Sequence, residues 1–158
     1  MLKYVDVMVS FLEVPDEITL AINISNCPHR CRDCHSSYLQ EDVGEELTSS
    51  ALTRLIEENK GITCVAFLGG DSNIDELNNL INYIRNNYPS LKICWYTGFD
   101  DQIIFNRYPK MINKLDFVKT GEYKEELGPL NSRTTNQKFF KQISSGMFSD
   151  ITNIFQNG

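Results

Sequence analysis

The chain has 158 residues, of which 41% are hydrophobic and 23% charged, and its formal net charge is −6. These values predict one soluble domain over residues 1–158, and the acidic balance disfavours nucleic acid as a partner. No run approaches the roughly 18 apolar residues of a membrane span, so we expect no membrane partner. Lys3 and Asp6 interrupt the place where a signal peptide would be apolar, which predicts a cytoplasmic location.

The first half of the chain reads as a hairpin, a cysteine-containing loop and a helix. Runs rich in Val and Ile predict strands at residues 6–14 and 18–25, around a turn at Pro15-Asp16. A helix is expected over residues 48–61, with Thr48 as its N-cap and Gly61 just beyond its end. The almost continuously apolar run that follows, "ITCVAFL", is typical of a strand buried on both faces.

The second half continues the alternation of helices and strands. A helix is expected over residues 72–89, with a capping box formed by Ser72 and Asp75. Buried strands are expected at 91–99 and 114–123, separated by a short helix. This order predicts an α/β fold with a parallel sheet, and the few units favour a partial, incomplete TIM-type barrel with outer helices. A flavodoxin-like open sheet is the alternative.

Four polar segments follow the carboxyl ends of predicted strands. They are the cysteine loop after "LAINIS", "GGDS" after "CVAFL", "YTG" at the end of "KICWYTG" and "TGEY" after "LDFVK". Ligands of parallel sheets bind at the carboxyl ends of the strands. If these strands are parallel, the four segments form a single site.

The cysteine loop carries Cys27, Cys31 and Cys34 in a C-x3-C-x2-C spacing. Three thiolates can hold three irons of a [4Fe-4S] cluster and leave the fourth iron open to a small molecule with amine and carboxylate groups. Gly69 and Gly70 would let backbone approach such a ligand, and Asp71 would accept from its ammonium group. The alternative is a structural zinc site with His29 or Cys64 as the fourth ligand.

Several motifs together are similar to those of a known family. "NCPHRCRDCHSSYL", "FLGGDS", "WYTGFD", "VKTGEY" and "TTNQ" extend over nearly the whole chain. The first two resemble the radical S-adenosylmethionine (radical SAM) superfamily. With the short length, the full set resembles the activating proteins of anaerobic ribonucleoside-triphosphate reductase.

The resemblance implies that Cys27, Cys31 and Cys34 ligate a [4Fe-4S] cluster and that Gly69, Gly70 and Asp71 contact the methionyl amino group of S-adenosylmethionine. It implies an oxidoreductase in which a donor such as flavodoxin reduces the cluster. The reduced cluster then cleaves S-adenosylmethionine to a 5′-deoxyadenosyl radical, which makes a glycyl radical on the reductase. No side chain is expected to be catalytic itself, because the cofactors carry the chemistry.

Other assignments come from position in the chain. Thr97 and Gly98 end a strand and are expected near the cofactor, whereas Cys64 and Cys94 are expected to pack in the core. Asp33 precedes the third cysteine where the family often has glycine, and Ser72 stands where proline is common and is expected to cap the helix. For His29 and His35 three roles are open: covering the cluster, positioning a partner or standing in solvent. Asn136 and Gln137 are expected to contact cofactor or partner.

Two further expectations concern the partner. An activase of another glycyl-radical enzyme, or a small radical SAM enzyme acting on a metabolite, fits the same motifs. The tail from residue 138 onward is expected to act as a lid or partner surface, because its apolar residues need burial.

Overall fold

The computed structural model describes residues 1–29 and 41–156. Within these residues the chain forms eight strands, four α-helices and a 3₁₀ helix at Thr152–Phe155. The strands are β1 Lys3–Ser10, β2 Thr19–Ile24, β3 Glu45–Glu46, β4 Cys64–Leu68, β5 Lys92–Tyr96, β6 Phe117–Thr120, β7 Lys138–Ser144 and β8 Met147–Asp150. The helices are α1 Ser49–Glu58, α2 Ile74–Asn87, α3 Asp101–Arg107 and α4 Pro109–Ile112. No helix of the described ranges has the length and apolar character to cross a membrane.

All eight strands join one sheet in the order β3-β1-β2-β4-β5-β6-β7-β8. Its centre is parallel, because β2, β4, β5 and β6 pair in parallel with their neighbours. β1 and β3 add antiparallel strands at one side, and the hairpin of β7 and β8 adds them at the other. The carboxyl ends of the four parallel strands therefore lie at the same edge of the sheet.

The first strand ends earlier than its apolar run predicts. β1 stops at Ser10, whose hydroxyl accepts a hydrogen bond from the Leu12 amide at 3.1 Å. This local side-chain bond replaces a ladder bond and turns the chain before the predicted end at residue 14. The turn itself is where the sequence predicts it, and Asp16 has a φ of 65°.

The helix starts follow capping chemistry. Thr48 caps α1 as predicted, and its hydroxyl accepts from the Ala51 amide at 3.0 Å. The predicted box of Ser72 and Asp75 is wrong by one residue, because Asn73 caps α2 and accepts from the Glu76 amide at 3.2 Å. The Glu76 carboxylate in turn accepts from the side-chain Nδ2 of Asn73 at 3.1 Å, so the two residues bond reciprocally, although through the Asn73 side chain rather than the backbone N–H of a capping box.

All four α-helices bury their apolar residues against the same face of the sheet. Leu52, Leu77, Ile104 and Met111, one from each helix in order, join the same core cluster as Phe67 of β4. A flavodoxin-like sheet carries helices on both faces, so this one-sided arrangement disfavours that alternative. The partial barrel stays a prediction.

The other face of the sheet has its own smaller core. Cys64, Cys94, Phe117 and Phe139 are buried there, which confirms the packing role expected for both cysteines. Trp95 points to the helix side, is fully buried, and donates from its indole nitrogen to the Gly69 carbonyl at 2.9 Å.

The tail is part of the sheet rather than a separate lid. Residues 138–144 pair with β6, which places Phe139 in the smaller core and Phe140 in the larger one. Met147 remains 60% exposed. The described tail residues are therefore not arranged as a lid. They belong to the sheet, and adjacent side chains of β7 are buried on its opposite faces.

Candidate functional site

The four polar segments predicted to converge do meet at one edge of the sheet. His29 of the cysteine segment contacts Asp71, which follows β4, and Glu122, which follows β6. Asp71 also contacts Thr97 and Gly98, which follow β5. The prediction of a single site is confirmed for these residues, because β2, β4, β5 and β6 run in the same direction.

Asp71 lies at the centre of this site. Its side chain is 3% exposed, and its Oδ2 accepts from Thr97 Oγ1 at 2.8 Å and from the Gly98 amide at 2.9 Å. His29 Nε2 lies 2.5 Å from the same oxygen. Among the described residues Asp71 Oδ1 has no hydrogen-bond partner although it is buried. One oxygen is therefore held by three groups while the other can accept from a ligand.

His29 connects two carboxylates. Its Nε2 faces Asp71 at 2.5 Å and its Nδ1 faces Glu122 Oε1 at 2.9 Å, while its side chain is only 8% exposed. The hydrogen bond to Asp71 raises the pKa of His29, burial opposes this, and Glu122 adds to the rise. A ring with a carboxylate oxygen at each nitrogen is best satisfied as an imidazolium that donates from both.

The segment after β5 is shaped to receive the His29 ring. A Cβ added at Gly98 would lie 2.5 Å from His29 Cδ2, a distance that real side chains do not adopt. The Phe99 ring stands edge-on to the imidazole with 4.8 Å between ring centres. Thr97 accepts from the Phe99 amide at 3.0 Å, which holds this turn in place. Gly98 is therefore needed for the ring as well as for Asp71.

Gly69 and Gly70 bring the backbone past the end of β4. Both have positive φ, +119° and +98°, a region that side chains with Cβ rarely adopt. A Cβ at Gly69 would lie 3.0 Å from the Ile24 carbonyl oxygen of β2. The pair therefore places Asp71 close to the start of the cysteine segment. Contact of either glycine with a cofactor stays a prediction.

The TTNQ segment closes onto the turn after β6. Asn136 donates to the Glu122 carbonyl at 3.0 Å, and Gln137 donates to the Gly121 carbonyl at 3.3 Å. Asn136 Oδ1 is also buried and has no partner in the described ranges. A cavity of about 210 Å³ is lined by His29, Glu122 and Asn136, so the TTNQ segment borders the site.

The structure describes the start of the cysteine segment. Cys27 follows Asn26, whose amide donates to the Glu41 carbonyl at 2.9 Å, so the two ends of the segment meet. The predicted ligands Cys31 and Cys34 lie outside the described residues, as do Asp33 and His35. The donor set fits an iron–sulfur cluster, because Cys27 is the first of three cysteines in the C-x3-C-x2-C sequence and itself follows β2 at the edge where Asp71 has an oxygen without a donor.

The zinc alternative does not fit the positions of its fourth ligands. Cys64 begins β4 and pairs with Thr19, the first residue of β2, so it lies toward the opposite end of the strands from Cys27. Burial raises the pKa of the Cys64 thiol to about 12, in keeping with its packing in the smaller core. Both ring nitrogens of His29 already face carboxylates.

Comparison with known proteins identifies the family. Residues 18–140 match the model of a family described as the 4Fe-4S single cluster domain. The chain belongs to this family. The match begins in the turn before β2 and ends in β7, so it contains every segment of the site. Comparisons with curated proteins and with solved structures gave no match.

Family membership supports a single [4Fe-4S] cluster and an iron–sulfur-dependent function, compatible with an oxidoreductase. Binding of S-adenosylmethionine stays a prediction. The structure places Thr97 and Gly98 against Asp71, so both lie in the site, and a direct contact with a cofactor stays a prediction.

Sequence reasoning missed the bridge between the two carboxylates. It left the role of His29 open and did not single out Glu122, because their contact spans 93 positions of the chain. Gly98 could have indicated that another group lies close by, because a glycine at the end of a strand often marks such a close approach.

Proposed function

We propose that this chain is an activating enzyme that uses its [4Fe-4S] cluster to cleave S-adenosylmethionine reductively and to generate a glycyl radical on anaerobic ribonucleoside-triphosphate reductase. An electron donor such as flavodoxin would reduce the cluster. The proposal joins the family match with the motif resemblance of the whole chain.

The observation that carries the proposal is the Oδ1 atom of Asp71. It is a buried acceptor without a donor in the described residues, on a carboxylate that is otherwise fully held. Leaving such an oxygen unsatisfied costs about 1–3 kcal/mol, so its placement suits a ligand that brings a donor. The α-ammonium of S-adenosylmethionine is such a donor, and a charge-assisted bond to a buried carboxylate is strong.

Residues around Asp71 would bind and orient this ligand. Thr97 and the Gly98 amide fix the carboxylate, so that the ammonium finds its acceptor already positioned.

Cys27, Cys31 and Cys34 would hold the cluster. When bound, the cluster would supply the electron that splits the sulfonium of S-adenosylmethionine. The chain's own groups would keep the ligand at this edge and exclude water from it, since Asp71 and the His29 ring are almost fully buried.

Two assays test the proposal in order. The anaerobically reconstituted protein, with dithionite as reductant, should convert S-adenosylmethionine to 5′-deoxyadenosine and methionine, and the Asp71→Asn variant should need a higher concentration of S-adenosylmethionine to reach the same rate. Addition of the reductase should then give the doublet signal of a glycyl radical in electron paramagnetic resonance. Cleavage without a radical on the reductase would favour another glycyl-radical enzyme or a metabolite as substrate, and absence of cleavage would contradict the proposal.

A further inference from the structure

We propose that His29 is a positioning residue for Asp71: it holds one carboxylate oxygen so that the other faces the ammonium of the ligand. This inference rests on the proposed function, because S-adenosylmethionine is the ligand it concerns. It adds a role for a side chain that lies inside the cysteine motif but is not a cluster ligand.

The geometry of the ring supports a specific role rather than general packing. His29 Nε2 reaches the same Asp71 oxygen as the Thr97 hydroxyl and the Gly98 amide, so three groups converge on Oδ2 and none on Oδ1. A carboxylate held at one oxygen by three donors has one orientation. Oδ1 is then oriented for the ligand before the ligand binds.

The second ring nitrogen fixes the imidazole itself. Nδ1 faces Glu122 Oε1 at 2.9 Å, and the Phe99 ring closes one side of the imidazole at 4.8 Å between ring centres. The position of the His29 ring is therefore set by the segment after β6, which carries Glu122, and by the turn after β5, which carries Phe99. Because His29 lies two residues after Cys27, these contacts also connect the start of the cysteine segment to the acceptor for the ligand.

Gly98 offers a way to move the ring without removing a polar group. An added Cβ would lie 2.5 Å from His29 Cδ2, so Gly98→Ala must displace the imidazole. Its backbone needs no left-handed φ, because none is found at this glycine. The matched control is Gly61→Ala, where a Cβ meets nothing but the φ of +97° is strained, so it reports generic destabilisation away from the site.

The experiment compares two ligands on the cluster-loaded protein by calorimetry. One is S-adenosylmethionine and the other is its deaminated analogue, which lacks the α-ammonium. In the wild type the ratio of the two dissociation constants reports the contact with Asp71. We expect His29→Ala and Gly98→Ala each to reduce this ratio roughly tenfold, the size of a lost bond to a charged group. Gly61→Ala should leave the ratio unchanged.

Two further outcomes support or overturn the role. His29→Gln should recover part of the ratio, because its amide can still donate to Asp71. If His29→Ala weakens both ligands equally, or neither, the imidazole does not orient Asp71 and the inference is wrong while the proposed function stands. If the loaded wild type binds neither ligand, the proposed function itself fails. Thermal unfolding of each variant identifies any that do not fold.

Discussion

Two aspartates at opposite ends of the parallel strands show how differently the same side chain is used. Asp71 follows β4 at the carboxyl end, and Asp116 precedes β6 at the amino end. The Asp116 side chain is 32% exposed, whereas that of Asp71 is 3% exposed. The more exposed carboxylate is paired with arginine, and the buried one is not.

Asp116 belongs to a closed structural network. Its Oδ2 accepts from Arg85 Nη2 at 2.6 Å and from the Ile93 amide at 2.9 Å. Arg85 also donates to the Lys114 and Leu91 carbonyls, so it joins α2 to the starts of β5 and β6. The amino end of the strands is thus held together by contacts that join α2, β5 and β6.

Asp71 is arranged in the opposite way. Across the described residues no lysine or arginine pairs with it, and its charged neighbour is His29. Burying a carboxylate whose second oxygen has no donor costs stability. The comparison indicates that the amino end of the strands is built for stability and the carboxyl end for a ligand.

The largest effects are expected when substitutions of the predicted cluster cysteines are compared with a substitution of Cys64. Cys27→Ala, Cys31→Ala and Cys34→Ala should each abolish cluster binding and leave the fold largely intact, because the cluster is expected to serve the chemistry while the apolar cores hold the sheet. Cys64→Ala should retain iron and lose stability, because it empties space in the smaller core. Iron analysis and thermal unfolding of the four variants check this. Iron retained in a Cys31→Ala protein would refute the ligand assignment.

A second pair of variants tests the aspartates directly. Asp71→Asn should weaken binding of S-adenosylmethionine by roughly tenfold to a hundredfold, because the ammonium loses its charged acceptor. Asp116→Asn should leave that affinity unchanged and reduce the free energy of unfolding by about 1 kcal/mol, a value discounted for its partial exposure. Calorimetric titration and urea unfolding measure the two effects. An equal loss of affinity in both variants would remove the distinction between the two ends.

Alkaline pH should destabilise the protein in part through Cys64, at the amino end of the strands. The pKa of Cys64 is raised to about 12 by burial, against about 8.5 for an unfolded thiol. Above that lower value the unfolded chain loses the proton first, so the free energy of unfolding falls by up to about 1.4 kcal/mol per pH unit. Cys64→Ala removes this contribution. Its urea unfolding free energy should therefore fall less steeply than that of the wild type between pH 9 and pH 10.5. Parallel curves would show that Cys64 ionises equally in both states.

The smallest expected effect concerns the residue that caps α2, just after the carboxyl end of β4. Asn73→Ala should cost about 1 kcal/mol of stability, because the Glu76 amide loses its acceptor. Ser72→Ala should cost little, since Ser72 is exposed and does not cap α2. Chemical unfolding of both variants decides between them. A larger loss for Ser72→Ala would reverse the assignment of the cap.

Local patterns predicted much of the fold. Apolar runs such as "CVAFL" and "KICWY" indicated β4 and β5, because a strand covered on both faces needs apolar side chains throughout. The cap of α2 was misplaced because Ser72 and Asn73 are both good caps, and only the reciprocal bond of Asn73 with Glu76 separates them. The hairpin of β7 and β8 was missed, since Phe139 and Phe140 bury on opposite faces and leave no alternation.

The sequence predicted which edge of the sheet carries the site, but it did not predict the hydrogen bonds that connect the residues there. Parallel strands place their following loops together, so Asp71, Thr97 and Gly98 could be grouped from the sequence. The bridge of His29 to Glu122 could not, because nothing local to either residue indicates a partner far along the chain.

The most direct test of the account is the metal content of protein purified without oxygen and reconstituted with iron and sulfide. We predict about four irons and four sulfides per chain, the composition of one [4Fe-4S] cluster. Stoichiometric zinc with no iron taken up would contradict the account, because the carboxyl end would then hold a structural metal and no radical chemistry.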